Sequence, residues 1–411
     1  MQNTAQSWLV FRLTKSGLWL GLIGFASQIP VFLASPLGGI VADRYNRHRV
    51  VIATQSASMI FALILAVLTW THIKTWEIFV LAALLGIVNA FDIPGRQAFL
   101  VEMVGKEHLM NAIALNSSMF NGARFIGPAI AGVLVAKLGE GYCFFANGIS
   151  YIAVIVGLLL MRVPKRPEYP VGSPLAHILE GFRFVRQTEP IRALLLLLGL
   201  VSLVAMPYTV LMPIFAAKIL HGGGDYLANL IGSHDLGAVR LGLLMGATGV
   251  GAMLGALTLA ARTGVHGLGR WVTFSCAGFG VSLIAFALSK SFWFSTALLI
   301  PVGFCMMLQM SSSNTLIQAM VPDQLRGRVM SVYSMMFMGM APFGAFFGGA
   351  LADRIGAPTT VSIGAIAAIG GAAIFGVRLP KMRGEARRLI IAQQMVGGEP
   401  VQQMSARAVE D

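Results

Sequence analysis

Apolar runs of membrane-crossing length recur from one end of this chain to the other, at residues 16–42, 50–73, 76–101, 108–138, 141–161, 191–219, 237–261, 271–290, 292–319, 326–353 and 357–379. A helix needs about 20 residues to cross the hydrocarbon core of a bilayer. Inside that core only helices and closed barrels satisfy every backbone amide, and runs this long and continuous select helices. An all-α polytopic membrane protein is expected, with eleven complete spans preceded by a short apolar stub. Composition agrees: 56% of the 411 residues are apolar and 11% charged, against roughly 25% charged in soluble domains, and mean hydropathy is +0.76.

A formal charge of +13 would suggest nucleic acid if it lay on one soluble face. It is sorted by loop instead. With the loop at Asp43 taken as cytoplasmic, 21 of the 30 Lys and Arg residues fall on its side, eight on the other, and Arg124 within a span. This is the positive-inside bias of a multi-pass protein of the inner or plasma membrane. It places the C-terminus in the cytoplasm, makes the lipid bilayer the chain's surroundings and leaves no role for nucleic acid. Cys143, Cys276 and Cys305 fall inside apolar spans without metal or redox spacing, so they are expected to pack as small hydrophobes.

An internal repeat fixes the domain organisation. Residues 104–139 align without a gap to 321–356, with Ser117/Ser334, Met119/Met336, Gly127/Gly344, Gly132/Gly349 and Gly139/Gly356 coinciding, and the same offset sets Leu37-Gly38 on Leu254-Gly255. Two six-helix halves in parallel follow. We expect an N-terminal bundle at 1–161, a linker at 162–190, a C-terminal bundle at 191–379 and a polar tail at 380–411. The repeat register starts the first helix before Met1; the alternative is a chain of eleven complete helices. In the linker, Ile178, Phe182 and Val185 share one helical face, which should lie along the membrane surface. The tail from Arg378 is expected to form a short polar helix.

After the first full span comes Gly38-Gly39-Ile-Val-Ala-Asp43-Arg44-Tyr-Asn-Arg47-His-Arg49. This G-G-x-x-A-D-R-x-x-R-x-R pattern resembles the cytoplasmic loop between the second and third helices of the major facilitator superfamily of transporters. The position matching Asp43 in the second half is Ala260-Ala-Arg262-Thr, without an acid, so whatever Asp43 does is expected once. Asp43 should face the start of the eleventh helix near Asp323-Gln-Leu-Arg326-Gly-Arg328, where a carboxylate meets the positive end of a helix dipole, and Arg47 should reach Glu102. Together these residues would form a cytoplasmic gate.

Gly127-Pro128-Ala-Ile-Ala131-Gly132-Val-Leu134 resembles the antiporter signature of drug:proton exporters, with Ala131 replacing the first of two paired glycines. Proline bends the helix and small neighbours allow close packing at the bend. With Asp92-Ile-Pro-Gly-Arg96 and Asn111-Ala-Ile-Ala-Leu-Asn116, the whole chain is most similar to the transmembrane secretion effector branch, which contains enterobactin exporters and macrolide efflux pumps. The resemblance implies proton-coupled export of a bulky amphipathic molecule, drug-like, macrolide-like or siderophore-like, by a monomer.

Among the seventeen acids only Asp92 lies deep in a span, ~15 Å from its cytoplasmic end by helical rise. Intramembrane ionisable groups are functional by default. Asp92, with Arg96 and Arg124, is therefore the candidate proton-coupling site; a permanent stiffening salt bridge is the alternative. In the resembled superfamily the first, fourth, seventh and tenth helices line the cavity. Asn89, Asn116, Tyr208, Gln309, Met310 and Asn314 are the polar or adaptable candidates there. No phosphate-binding glycine loop, cofactor motif or enzyme constellation is present in the sequence, and His221, Asp225, His234 and Asp235 share no metal-ligand spacing. The competing functions are a lysophospholipid flippase on the same fold and a membrane binding protein that does not transport.

Overall fold

The structure, a computed structural model, describes residues 1–104, 109–161, 174–222, 236–262 and 264–396; the side chains of Asp43, Asn111, Glu102, Arg124, Ile178 and Asp323 lie outside the described set. Among the described residues the chain forms α1 (Gln2–Thr14), α2 (Gly17–Arg44), α3 (Arg47–Thr71), α4 (Thr75–Val104), α5 (Leu109–Leu138), α6 (Glu140–Leu160) and α7 (Pro174–Gln187). There follow α8 (Glu189–Ile219), α9 (Leu236–Ala260), α10 (Leu268–Leu288), α11 (Phe292–Met320), α12 (Asp323–Ile355) and α13 (Ala357–Val396). Ten of these are long and apolar enough to cross a membrane, and α5 adds the apolar stretch Ile126–Leu138.

Helix ends fall where the local chemistry stops them. Asn46 caps α3, its side chain accepting the Arg49 N–H at 3.2 Å, so one residue type closes the turn after α2. Gly139 and Gly356, the last pair of the repeat, separate α5 from α6 and α12 from α13 at φ of 88° and 86°. Only glycine adopts that backbone without strain. The repeat is thus visible in backbone conformation as well as in sequence. Two π turns interrupt α8, at Val201–Ala205 and Phe215–Ile219. Each lies within two residues of a proline, Pro207 or Pro213, whose missing N–H disturbs the α ladder.

Within the halves, α2 and α3 pack on α4 and α3 on α6, while α9 and α10 pack on α11 and α10 on α13. The halves meet mainly through two helix pairs, α2 with α12 and α5 with α9, with smaller contacts of α1 and α2 on α8 and of α1 on α9. The tail after Arg378 is helical and continuous with the last span: α13 runs unbroken past Pro380 to Val396, residues 381–396 being mostly good helix formers. Helix α7 packs on α12 and α8, with Val185 buried and Phe182 exposed. Cys143 and Cys276 are buried and free, as their apolar surroundings suggest.

Candidate functional site

Asp92 is the deepest charged group described, with the residue 3% exposed. Burying a carboxylate is costly unless its lone pairs are filled. Here they are: Oδ1 accepts Thr54 Oγ1 and Gln55 Nε2, both at 2.8 Å, from α3. Oδ2 faces Arg96 Nη2 at 3.1 Å, one turn along α4. The Arg96 side chain is 61% exposed while that of Asp92 is 4% exposed, so the acid is held inside and its cation reaches outward. Arg124, proposed as its other partner, has a side chain outside the described residues. Asn89 is half-buried on α4 and Asn116 exposed on α5.

The polar surroundings of Asp92 continue through the N-terminal half. Tyr151 of α6 lies near Ser58 and Asn147, and Asn147 Nδ2 donates to Gln2 Oε1 at 2.8 Å. Sequence reasoning missed this track. Its signal was present: Thr54, Gln55 and Ser58 are polar at spacings of one and three to four residues within the apolar run of α3, which sets them on one face.

In the C-terminal half, Tyr208 is 1% exposed, its ring edge-on to Phe279. Gln309 is also 1% exposed, and neither amide atom has a hydrogen-bond partner among the described residues. Ser312 Oγ, one turn further, is in the same condition. Both Tyr208 and Gln309 are therefore packed inside this half and present no surface in this conformation. Met310 and Asn314 are half-buried; Tyr333 donates to the Met310 carbonyl at 3.4 Å, and Gln318 Nε2 to Asn314 Oδ1 at 2.5 Å.

The interface between the halves is closed at one end. A Cβ built on Gly21 would overlap the Ala345 carbonyl oxygen, and one on Gly132 would lie 2.7 Å from the Ala238 carbonyl oxygen. Backbones of both inter-half pairs are thus in direct contact, as small residues permit. Phe25 packs between Phe343 and Phe346 at 5.9 and 6.1 Å. Beyond these contacts Asp353 of α12 caps the start of α2. Its carboxylate accepts Ser16 Oγ and Gly17 N, each at 2.5 Å, and Leu18 N at 3.1 Å.

At the other end the described glycines make no such contact. A Cβ on Gly39 or on Gly327 meets nothing within 4 Å, and Arg44 and Arg326 are exposed. Gly38 still packs within its own half, where a Cβ would overlap the Ala90 carbonyl oxygen of α4. Arg47 Nη1 donates to the Ala98 carbonyl at 3.3 Å; Glu102, its expected partner, lies outside the described side chains, as do Asp43 and Asp323. Arg328 forms an ion pair with Glu180 of α7. Gly127 and Pro128 sit half-buried in α5, and Gly132 is buried at the contact with α9. Among the described residues no group of three or more His, Cys, Asp or Glu could hold a metal ion; Asp225, His234 and Asp235 lie outside them.

The chain matches known proteins over nearly its whole length. The model of the transmembrane secretion effector family matches residues 1–404. The chain is 29% identical over 368 residues to a staphyloferrin A transporter of Staphylococcus aureus, covering 88% of each. It is 27% identical to the multidrug efflux pump Tap of Mycolicibacterium fortuitum, covering 86% of this chain and 85% of that one. With the enterobactin exporter EntS of Salmonella choleraesuis it shares 26% identity, covering 92% and 86%. In fold it is similar to the nucleoside transporter NupG, with a TM-score of 0.71 at 14% identity over 92% of this chain and 94% of that one. A bacterial homolog of the lysosomal transporter Spinster, solved in an inward-facing and unoccupied conformation, gives a TM-score of 0.64 at 16% identity over 95% and 94%. Two helical halves meeting through α2–α12 and α5–α9, and a family match spanning both, make this chain a member of the transmembrane secretion effector family of the major facilitator superfamily of transporters.

Proposed function

We propose that the protein exports a bulky amphipathic small molecule by alternating access, driven by protons. The observation that carries this reading is the one-sided closure of the bundle. Both inter-half helix pairs touch at the Asp353 end, while Gly39 of α2 and Gly327 of α12 face open space at the Asp43 end. A transporter needs a second state with the opposite end closed, and two rigid halves joined by glycine-lined seams can rock between them. The positive-inside bias puts the Asp43 end in the cytoplasm, so this conformation is inward-facing and loads from inside.

A staphyloferrin A transporter, an enterobactin exporter and a multidrug efflux pump among the relatives favour an amphipathic cargo. Half-buried Met310 and Asn314 of α11 and exposed Asn116 of α5 suit such a cargo, since thioethers adapt to varied shapes. Asp92 is the candidate proton carrier. An acid buried among neutral donors, with its cation reaching outward, can take a proton when Arg96 swings away.

The test is proton-gradient-driven flux of an ethidium-type dye in proteoliposomes. Asp92→Asn mimics the protonated acid, so it is expected to abolish uphill flux while downhill exchange and binding survive. Full uphill transport by Asp92→Asn would falsify the coupling assignment. Uptake of headgroup-labelled lysolipid in place of dye would turn the reading to a flippase.

A further inference from the structure

The heptapeptide that ends α2, Gly38-Gly-Ile-Val-Ala-Asp43-Arg44, recurs at the end of α12 as Gly348-Gly-Ala-Leu-Ala-Asp353-Arg354, with five of seven residues identical and the acid in the same place. The two copies are not related by the internal repeat, which pairs α2 with α9 and α12 with α5 and sets Ala136 opposite Asp353. They are related by packing. Helices α2 and α12 lie against each other antiparallel, so their C-terminal motifs sit at opposite ends of one helix pair. The acid lost from the second-half counterpart of Asp43 is thus present on α2's packing partner.

The structure shows what one copy does. Asp353 accepts the Ser16 hydroxyl and the first two N–H groups of α2. Those amides have no intrahelical partner and carry the positive end of the helix dipole. Lys218 is a cation close enough to act on Asp353, and its Nζ donates to the Lys15 carbonyl at 3.3 Å. Arg354 follows on the same helix. The contacts run in one antiparallel register: Gly17 beside Gly349, Gly21 beside Ala345, Phe32 beside Gly339. Continued along the pair, that register sets Asp43 opposite residues 323–328, the N-terminal turns of α12.

We propose that Asp353 is an outer latch, holding the extracellular ends of α2 and α12 together in the inward-facing state, and that it works in alternation with Asp43 at the other end. Each carboxylate caps the helix on which the other is carried. Closing one end by rocking the pair opens the other, so one charge-assisted cap is exchanged for its twin. This makes the two end states close in energy. The proposal rests on the alternating-access reading.

Pulsed-EPR distances in the full chain test it, with spin labels at exposed Lys137 and Lys290 across the outer end and at exposed Arg49 and Arg270 across the inner end. Charge-assisted hydrogen bonds to a carboxylate are strong enough that Asp353→Asn should raise the outward-open to inward-open ratio about tenfold. Ser16→Ala should move it the same way by less, and it carries the test if the Asp353 variant folds poorly. Asp43→Asn should move the ratio in the opposite direction, and the double variant should return toward the wild-type distribution. Unchanged outer distances in both Asp353→Asn and Ser16→Ala, or a shift of the same sign from Asp43→Asn, would overturn the latch while wild-type switching between acidic and alkaline pH kept alternating access intact. A wild type fixed in one distribution at both ends at every pH would sink alternating access, and the latch with it.

Discussion

Gly132 of α5 and Gly242 of α9 touch through their backbones: a Cβ built on Gly132 would lie 3.0 Å from the Gly242 Cα, and one built on Gly242 would lie 2.9 Å from the Gly132 Cα. Neither position has a flexible side chain that could yield. Gly132→Val must therefore spread the seam that closes the outer end. Overpacking costs about 1–3 kcal/mol, and here it is charged to one conformational state only. The expected result is a lower thermal midpoint for the inward-facing protein and greater reactivity of cysteines placed along the outer half of α9. A variant as stable and as closed as wild type would show that the seam is not tight.

The carboxylate of Asp92 depends on α3. Gln55→Leu removes one of two neutral donors to Oδ1 and leaves a buried charge short of a partner, at a cost of about 1–3 kcal/mol. In the Asp92→Leu background the same change should cost little, since no charge remains to be satisfied. A double-mutant cycle on unfolding in detergent reads the coupling. Additive losses would mean that the contact carries no energy.

How much of this was legible in the sequence differs from residue to residue. The spans were readable because hydropathy is a local property, and Gly139 and Gly356 were readable as a pair because the repeat keeps register through them. Asp92 stood out as the one deep acid. Thr54 and Gln55 did not, because a single helix does not say which of its faces meets a neighbour. Asp353 was hidden for another reason: its motif matches that of Asp43 across the packing of α2 on α12, outside the repeat register, and only the fold brings the two helices side by side.

Gln309 is buried with both amide atoms unpaired among the described residues. Such a group is destabilising wherever it is not used. Gln309→Met keeps the volume and removes the polar atoms, so it should raise stability by about 1–3 kcal/mol. If the amide meets cargo or water when α11 moves, transport should fall at the same time. That pairing of gains and losses is typical of functional polar groups. Unchanged flux together with higher stability would strike Gln309 from the cargo site.

Glu180 of α7 holds a residue in the turn that the latch proposal assigns to Asp43 of α2. Glu180 is ion-paired with Arg328, and Arg328 lies within residues 323–328, where the antiparallel register sets Asp43. A Cβ on Gly181, the next residue, would lie 2.7 Å from the Arg328 carbonyl oxygen, so α7 is seated directly on the N-terminal turns of α12. Under the latch proposal, the linker helix occupies the inner latch while the outer one is shut. The Glu180 side chain is 51% exposed, and exposed pairs contribute only about 0.2–1 kcal/mol. Glu180→Ala should therefore shift the population toward inner closure by about 1.4- to fivefold, and raised salt, which screens such pairs, should mimic it in the wild type but not in the variant. Inner-end EPR distances report both effects. A Glu180→Ala population that stays inward-open and keeps its salt dependence would show that the linker does not compete for Arg328.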